Sequence, residues 1–168
     1  EIKVKNANLL IDFVILESVE RLELQRNPNQ FYLLTQMQTL EFTIEPETRH
    51  KTISLRELKY PVAEIFWIVR TKDASDNKLY FNYGDSIITD NKDPILTTKI
   101  TFENKVRIPE LASDFFSKIE PFKIHNNFPS SFVHLYSFSL NPEKIGQPDG
   151  VCNFSNLSQA NLQFKFTE

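Results

Sequence analysis

The dominant signal along this chain is an alternation of apolar and polar residues at a period of two, which favours strands before any motif is considered. In "LLTQMQTLEFTI", residues 33–44, Leu40, Phe42 and Ile44 fall on one side. Successive side chains of a strand point to opposite faces, so such a stretch makes a half-buried strand and a poor helix. "KTISLREL", residues 51–58, sets Ile53 and Leu55 on one side in the same way, and residues 6–17, "NANLLIDFVILE", are rich in β-branched and aromatic side chains. "VAEIFWIVR", residues 62–70, is apolar in both phases, the pattern of a central strand covered on both faces, with Trp67 in the core. "PILTTKITFENKVRI", residues 94–108, predicts a strand, a turn at Asn104 and Lys105, and a short return. Residues 130–140 and 161–166, "SSFVHLYSFSL" and "NLQFKF", supply two more strands.

Helical signals are few. Ser18 is placed to cap one or two turns that Asn27-Pro28-Asn29 would end. "PELASDFFSKI", residues 109–119, predicts the best helix, with Pro109 at its first position and Leu111, Phe115 and Ile119 on one face. Residues 71–86 read as a polar surface loop. Many short strands, few helices and no strand–helix alternation predict an antiparallel β-sandwich or barrel, all-β, with one or two short helices in its loops. One domain over residues 1–168 is expected.

Composition narrows the function. The 168 residues are 40% hydrophobic and 24% charged, an ordinary globular balance. A net charge of −3 supplies no basic face, so nucleic acid is not an expected partner. A single cysteine excludes a disulfide within the chain. No apolar run approaches the roughly 20 residues that span a bilayer, so direct membrane insertion is not expected. The opening "EIKVKNANLL" is no signal peptide. It begins inside an expected strand and without Met, so the chain is read as a fragment, a processed product or the ordered part of something larger.

Reactive constellations are scarce. No two of His50, His125 and His134 stand closer than nine positions, which is not the spacing of a strand-borne metal pair, and His134 reads as a satisfied core histidine. Cys152 reads as a small buried hydrophobe, since no base neighbours it. Asp73, Asp76 and Asn77 do not match a calcium loop and read as a solvated turn. Two triplets, Asn153-Phe154-Ser155 and Asn156-Leu157-Ser158, satisfy a glycosylation pattern too short to carry weight. No catalytic residue, metal site or cofactor is expected, and an enzyme is not.

"YSFSLNPEKIGQPDGVCNFS", residues 136–155, holds two of the chain's three glycines. Asn141-Pro142 is expected to end one strand. Pro148 presets the second position of a turn, Asp149 bonds locally in the third, and Gly150 takes a left-handed conformation that starts the returning strand. Residues 136–140 and 151–154 are then neighbouring strands.

This stretch resembles the signature near the end of the major capsid proteins of nucleocytoplasmic large DNA viruses. Tyr136, Ser137, Phe138, Asn141, Pro142, Glu143, Gln147, Pro148, Gly150, Asn153, Phe154 and Ser155 match it. Asp149 stands where serine is usual, and Asn156 where arginine is common. Earlier blocks follow in the family's order. "IDFVILESVERLELQRNPNQFYLLTQMQ" is similar to its strand, turn and extended segment. "ELKYPVAEIFWIVR" is similar to its proline-valine strand, with Tyr60 in place of His, and "KIEPFKIHNNFP" to its proline–histidine stretch. The resemblance implies an eight-stranded antiparallel jelly-roll sandwich, corresponding to the C-terminal half of a double jelly-roll protein, with the N-terminal jelly roll and a last strand absent. It further implies a structural protein of the virion, assembled in the host cytoplasm into homotrimeric pseudo-hexagonal capsomers that contact one another and minor capsid proteins. The alternatives are a scaffold, penton or minor capsid component, or a glycan-binding module whose "DNKLYFNYGD" loop, residues 76–85, packs on a sugar.

Overall fold

The computed structural model describes residues 5–27, 29, 31, 33–87, 91–144 and 149–167. Contacts between Cα atoms divide the chain into two compact units, Glu1–Leu34 and Thr35–Glu168. In the first, the described residues from 5 to 17 take no regular secondary structure, although a strand was expected there. β-branched and aromatic side chains make a segment fit to pair, but a strand exists only against a ladder partner, and none is present among the described residues. Helix α1 (Ser18–Arg26) follows. Its cap is Glu17 rather than Ser18, and the Glu17 N–H donates to Glu20 Oε2 at 3.2 Å, as in a capping box.

The second unit is mostly β. Strands β1 (His50–Ser54), β4 (Ile95–Phe102), β5 (Lys105–Ala112) and β8 (Ala160–Phe166) form one antiparallel sheet in the order β1-β8-β4-β5. Strand β2 (Pro61–Val62) pairs with β7 (Cys152–Asn153), and β3 (Glu64–Trp67) with β6 (His134–Ser137), both antiparallel. Short helices α2 (Lys72–Asp76) and α3 (Glu120–His125) lie between strands. On β8, Ala160, Leu162 and Phe164 alternate inward. They meet Ile65 and Trp67 of β3 and Tyr136 of β6 in one core. Aromatic pairs join the sheets: Trp67 lies 6.4 Å from Phe164, and Phe102 of β4 lies 6.0 Å from Phe138.

Several expectations change here. The hairpin turn falls at Glu103 and Asn104, both at positive φ (48° and 59°), so the return strand starts at Lys105. That strand runs through Pro109 to Ala112, where a helix was predicted. Proline lacks the N–H a ladder needs, but β5 is an edge strand and its register against β4 shifts on either side of Ile108. The helix begins later, as a π-helical segment (Phe115–Ile119) continuing into α3. The wider turn buries Phe116 and leaves Ile119 exposed, so the predicted face is not the one used. Residues 33–44 take no strand, although Leu40 packs against the core. Strand β3 is fully covered on one face only: Ile65 and Trp67 are buried, while on the other face Glu64 is half-buried and Phe66 stays 57% exposed. The polar stretch after Thr71 folds into α2, with the Ala74 N–H donating to Thr71 Oγ1 at 3.2 Å. Residues 151–154 do not pair with residues 136–140; they pair with β2.

Phe116 is fully buried, with its ring 5.2 Å from Trp67 and 5.1 Å from Phe115. Phe116→Ala removes a large ring from a packed core and is expected to cost about 3–5 kcal/mol, measured as the shift in a urea unfolding midpoint.

Candidate functional site

The stretch from Tyr136 to Ser155 is held from within. Backbone at its base approaches closely: a Cβ on Gly150 would stand 2.3 Å from the Phe138 carbonyl oxygen. Glycine is therefore required for space. Its φ lies outside the left-handed region, which corrects the expected turn. Asp149 does not bond locally either. Its carboxylate reaches back to accept from the Leu140 N–H (3.0 Å), the Asn141 N–H (3.1 Å), Asn141 Nδ2 (2.5 Å) and the Ser139 hydroxyl. The Ser139 hydrogen bond, with those from Asn141 and Leu140, holds the Asp149 carboxyl far below its usual range. Gln147 and Pro148 lie outside the described residues.

The aromatic members of the signature pack together. Phe138 lies 5.1 Å from Tyr136 and 5.9 Å from Phe154, and Phe102, which the sequence did not single out, is 5.7 Å from Phe154. Tyr136 and Phe154 are buried and Pro142 is half-buried, whereas Asn141, Asn153 and Ser155 are exposed. Asn153 Oδ1 accepts from the Ser155 N–H at 3.0 Å. Ser155 Oγ accepts from the Tyr60 N–H at 2.8 Å, and the Phe154 N–H donates to the Tyr60 carbonyl at 3.1 Å. Tyr60 has φ 67°, a strained conformation for a bulky residue. Gln38 steadies the bend, donating to the Lys59 carbonyl at 2.7 Å and accepting from its N–H at 2.9 Å. The described residues of the signature thus fold one corner of the domain, and they gather no reactive groups.

Two polar clusters escaped the sequence because their members lie far apart along the chain. In the first, His134 Nε2 stands 2.7 Å from Ser113 Oγ and 2.8 Å from Asp93 Oδ2, and the Ser113 hydroxyl also donates to Asp93. Burial opposes charge on Asp93, but the bonds from His134 and Ser113 outweigh it and lower its pKa. A nucleophilic triad needs serine and carboxylate on opposite ring nitrogens, so that one side accepts the proton while the other orients the ring. Here both sit at Nε2, and the arrangement is a closed structural knot. His134 is buried as expected, stacked on Trp67 at 5.8 Å, but its Nδ1 has no partner among the described residues. In the second cluster, His125 meets Glu64 at 2.9 Å and Glu143 at 2.8 Å.

No group of three His, Cys, Asp or Glu among the described residues could hold a metal, and no described helix is long and apolar enough to cross a membrane. Cys152 is half-buried, and burial raises its thiol pKa. Asp73 and Asp76 lie on α2, and the loop read as sugar-facing carries Tyr80 and Phe81, the latter 83% exposed.

The described part of the stretch from Tyr136 to Ser155 is spent on internal architecture within an antiparallel β scaffold. In the structure of the PBCV-1 virus capsid, a quasi-atomic model, a chain superposes on this one with a TM-score of 0.61 and 19% identity, over 76% of this chain and 36% of that one. The family model for the large eukaryotic DNA virus major capsid protein matches residues 20–168, and this chain belongs to that family. The probable capsid protein 4 of Acanthamoeba polyphaga mimivirus is 24% identical over 95% of this chain and 32% of its own length. The major capsid protein of Chrysochromulina ericina virus is 36% identical over 43% of this chain and 12% of its own. The chain spans about a third or less of the curated relatives it matches.

Gly150→Ala places its methyl group against backbone, which cannot swing aside as a side chain would. The expected loss is about 1–3 kcal/mol, read from chemical denaturation.

Proposed function

We propose that this chain is the C-terminal jelly roll of a double jelly-roll capsid protein, and that the whole protein builds the icosahedral shell of a large DNA virus. The family match over residues 20–168 carries this reading. The eight described strands suit a jelly roll if the two strand pairs are parts of one second sheet. Only Ala63 separates β2 from β3, and the Phe138 N–H donates to the Ala63 carbonyl at 2.8 Å, carrying the β6 ladder past β3. Coverage of 36% of the PBCV-1 chain also agrees with one domain of a longer, tandem protein.

In this reading the domain is a rigid block with no catalytic step, resident in the virion and assembled in the host cytoplasm. Tyr136, Phe138, Asn141, Pro142, Gln147, Pro148, Gly150, Asn153, Phe154 and Ser155 serve as the motif that fixes its loop corner. Its partners are two further copies in a trimeric capsomer, neighbouring capsomers and minor capsid proteins. A three-fold ring closes through heterologous contacts, in which two different patches of each copy meet.

The test is the native mass of the purified full-length protein, by light scattering or native mass spectrometry. Three times the chain mass is the expected result, and a monomer at micromolar concentration would count against the reading.

A further inference from the structure

We infer that His125 is a proton-operated tether on the loop at residues 141–144: charged, the ring holds the loop through Glu143, and neutral, it releases it. The inference rests on side-chain geometry within this chain and stands apart from the capsid reading. His125 ends α3, next to Asn126 in the left-handed conformation, and presents its two ring nitrogens in opposite directions. Nε2 lies 2.9 Å from Glu64 Oε1 on β3, and Nδ1 lies 2.8 Å from Glu143 Oε1 in the signature loop. Carboxylates on opposite sides of a ring cannot converge on a metal ion. They can both accept from an imidazolium, which carries an N–H at each nitrogen. A neutral imidazole has only one N–H, so one carboxylate then faces a lone pair.

Exposure decides which contact is lost. The Glu64 side chain is 14% exposed and confined by the sheet, whereas that of Glu143 is 76% exposed and free to turn into water. Glu64 and Glu143 are the charges that act on the ring. On its own helix, Lys123 and Glu120 lie 3.7 Å apart as a pair, and Ser137 of β6, opposite Glu64 in register, adds a hydroxyl rather than a charge. Burial works against the charged ring, but the two glutamates outweigh it and hold the imidazole above its ordinary value. A raised histidine contributes stability that is complete below the ordinary imidazole value and is lost as pH rises through the raised one. Glu64 is raised too, by desolvation against the pull of His125, so it acts in the same sense, starting in the carboxylate range.

The loop carries its own reporter, since trypsin cleaves after Lys144. Its cleavage rate in the full chain, divided by that of a free peptide of the same sequence, is to be compared at about pH 5.5 and about pH 8.5, either side of imidazole titration. The ratio is expected to rise about threefold to fivefold with pH, the range of an exposed charge-assisted contact. In Glu143→Ala, and in His125→Gln as a second variant, it is expected to be high and flat. Imidazole NMR should place the ring's titration above 6.5 in the native chain and lower in Glu143→Ala. A flat ratio in the native chain, the same rise in both variants, or a ring that titrates at or below 6.5 would overturn the inference.

Discussion

The contact on which the rest of the second unit depends is the aromatic seam between its sheets. At one end Trp67 packs on Phe116 and Phe164, and at the other Phe138 and Phe154 pack on Phe102. Strand pairs of two to four residues are too short to persist alone. Strands β2, β3, β6 and β7 exist because their inward side chains are clamped against the four-stranded sheet. Aromatic rings suit this task, since each buries a large area and prefers tilted or edge-on geometry that fixes orientation as well as distance.

The signature stretch is a second constraint built on the first. Phe138 and Phe154 seat its two ends in the seam. Close approach at Gly150 and the four bonds of Asp149 tie residues 149 and 150 back to Phe138, Ser139, Leu140 and Asn141. Aspartate at the position where serine is usual offers two oxygens and a full negative charge to donors from Ser139, Leu140 and Asn141. A single hydroxyl could not accept from all of them.

What could be read in advance follows a physical line. Period two marked the strands that found partners: Ile53 and Leu55 face inward, and β8 alternates as its sequence does. The same period over residues 33–44, and the β-branched and aromatic content of residues 6–17, gave no strand, because such patterns encode readiness to pair and say nothing of whether a ladder is at hand. Pro109 misled for a related reason. Its fixed φ suits the first turn of a helix and an edge strand alike, and only the position of β5 in the sheet separates the two. The polar clusters were not legible at all. Asp93, Ser113 and His134, or Glu64, His125 and Glu143, share no local pattern, and each set exists only after the strands have paired.

The two histidine clusters show how one chemistry is turned to opposite ends by burial and by which nitrogen is used. At His134, serine and aspartate crowd a single nitrogen of a ring stacked on Trp67, so the bonds reinforce one fixed state. At His125 the partners sit on both nitrogens at the edge of solvent, so full hydrogen bonding needs the extra proton. A scaffold of rigid sheets can hold either arrangement, but only the second has a partner, Glu143, that can leave without exposing core. The same loop that Asp149 anchors at its base is thus held further along by a bond that depends on pH. Its closure is fixed, and the hold on Glu143 is set by solution.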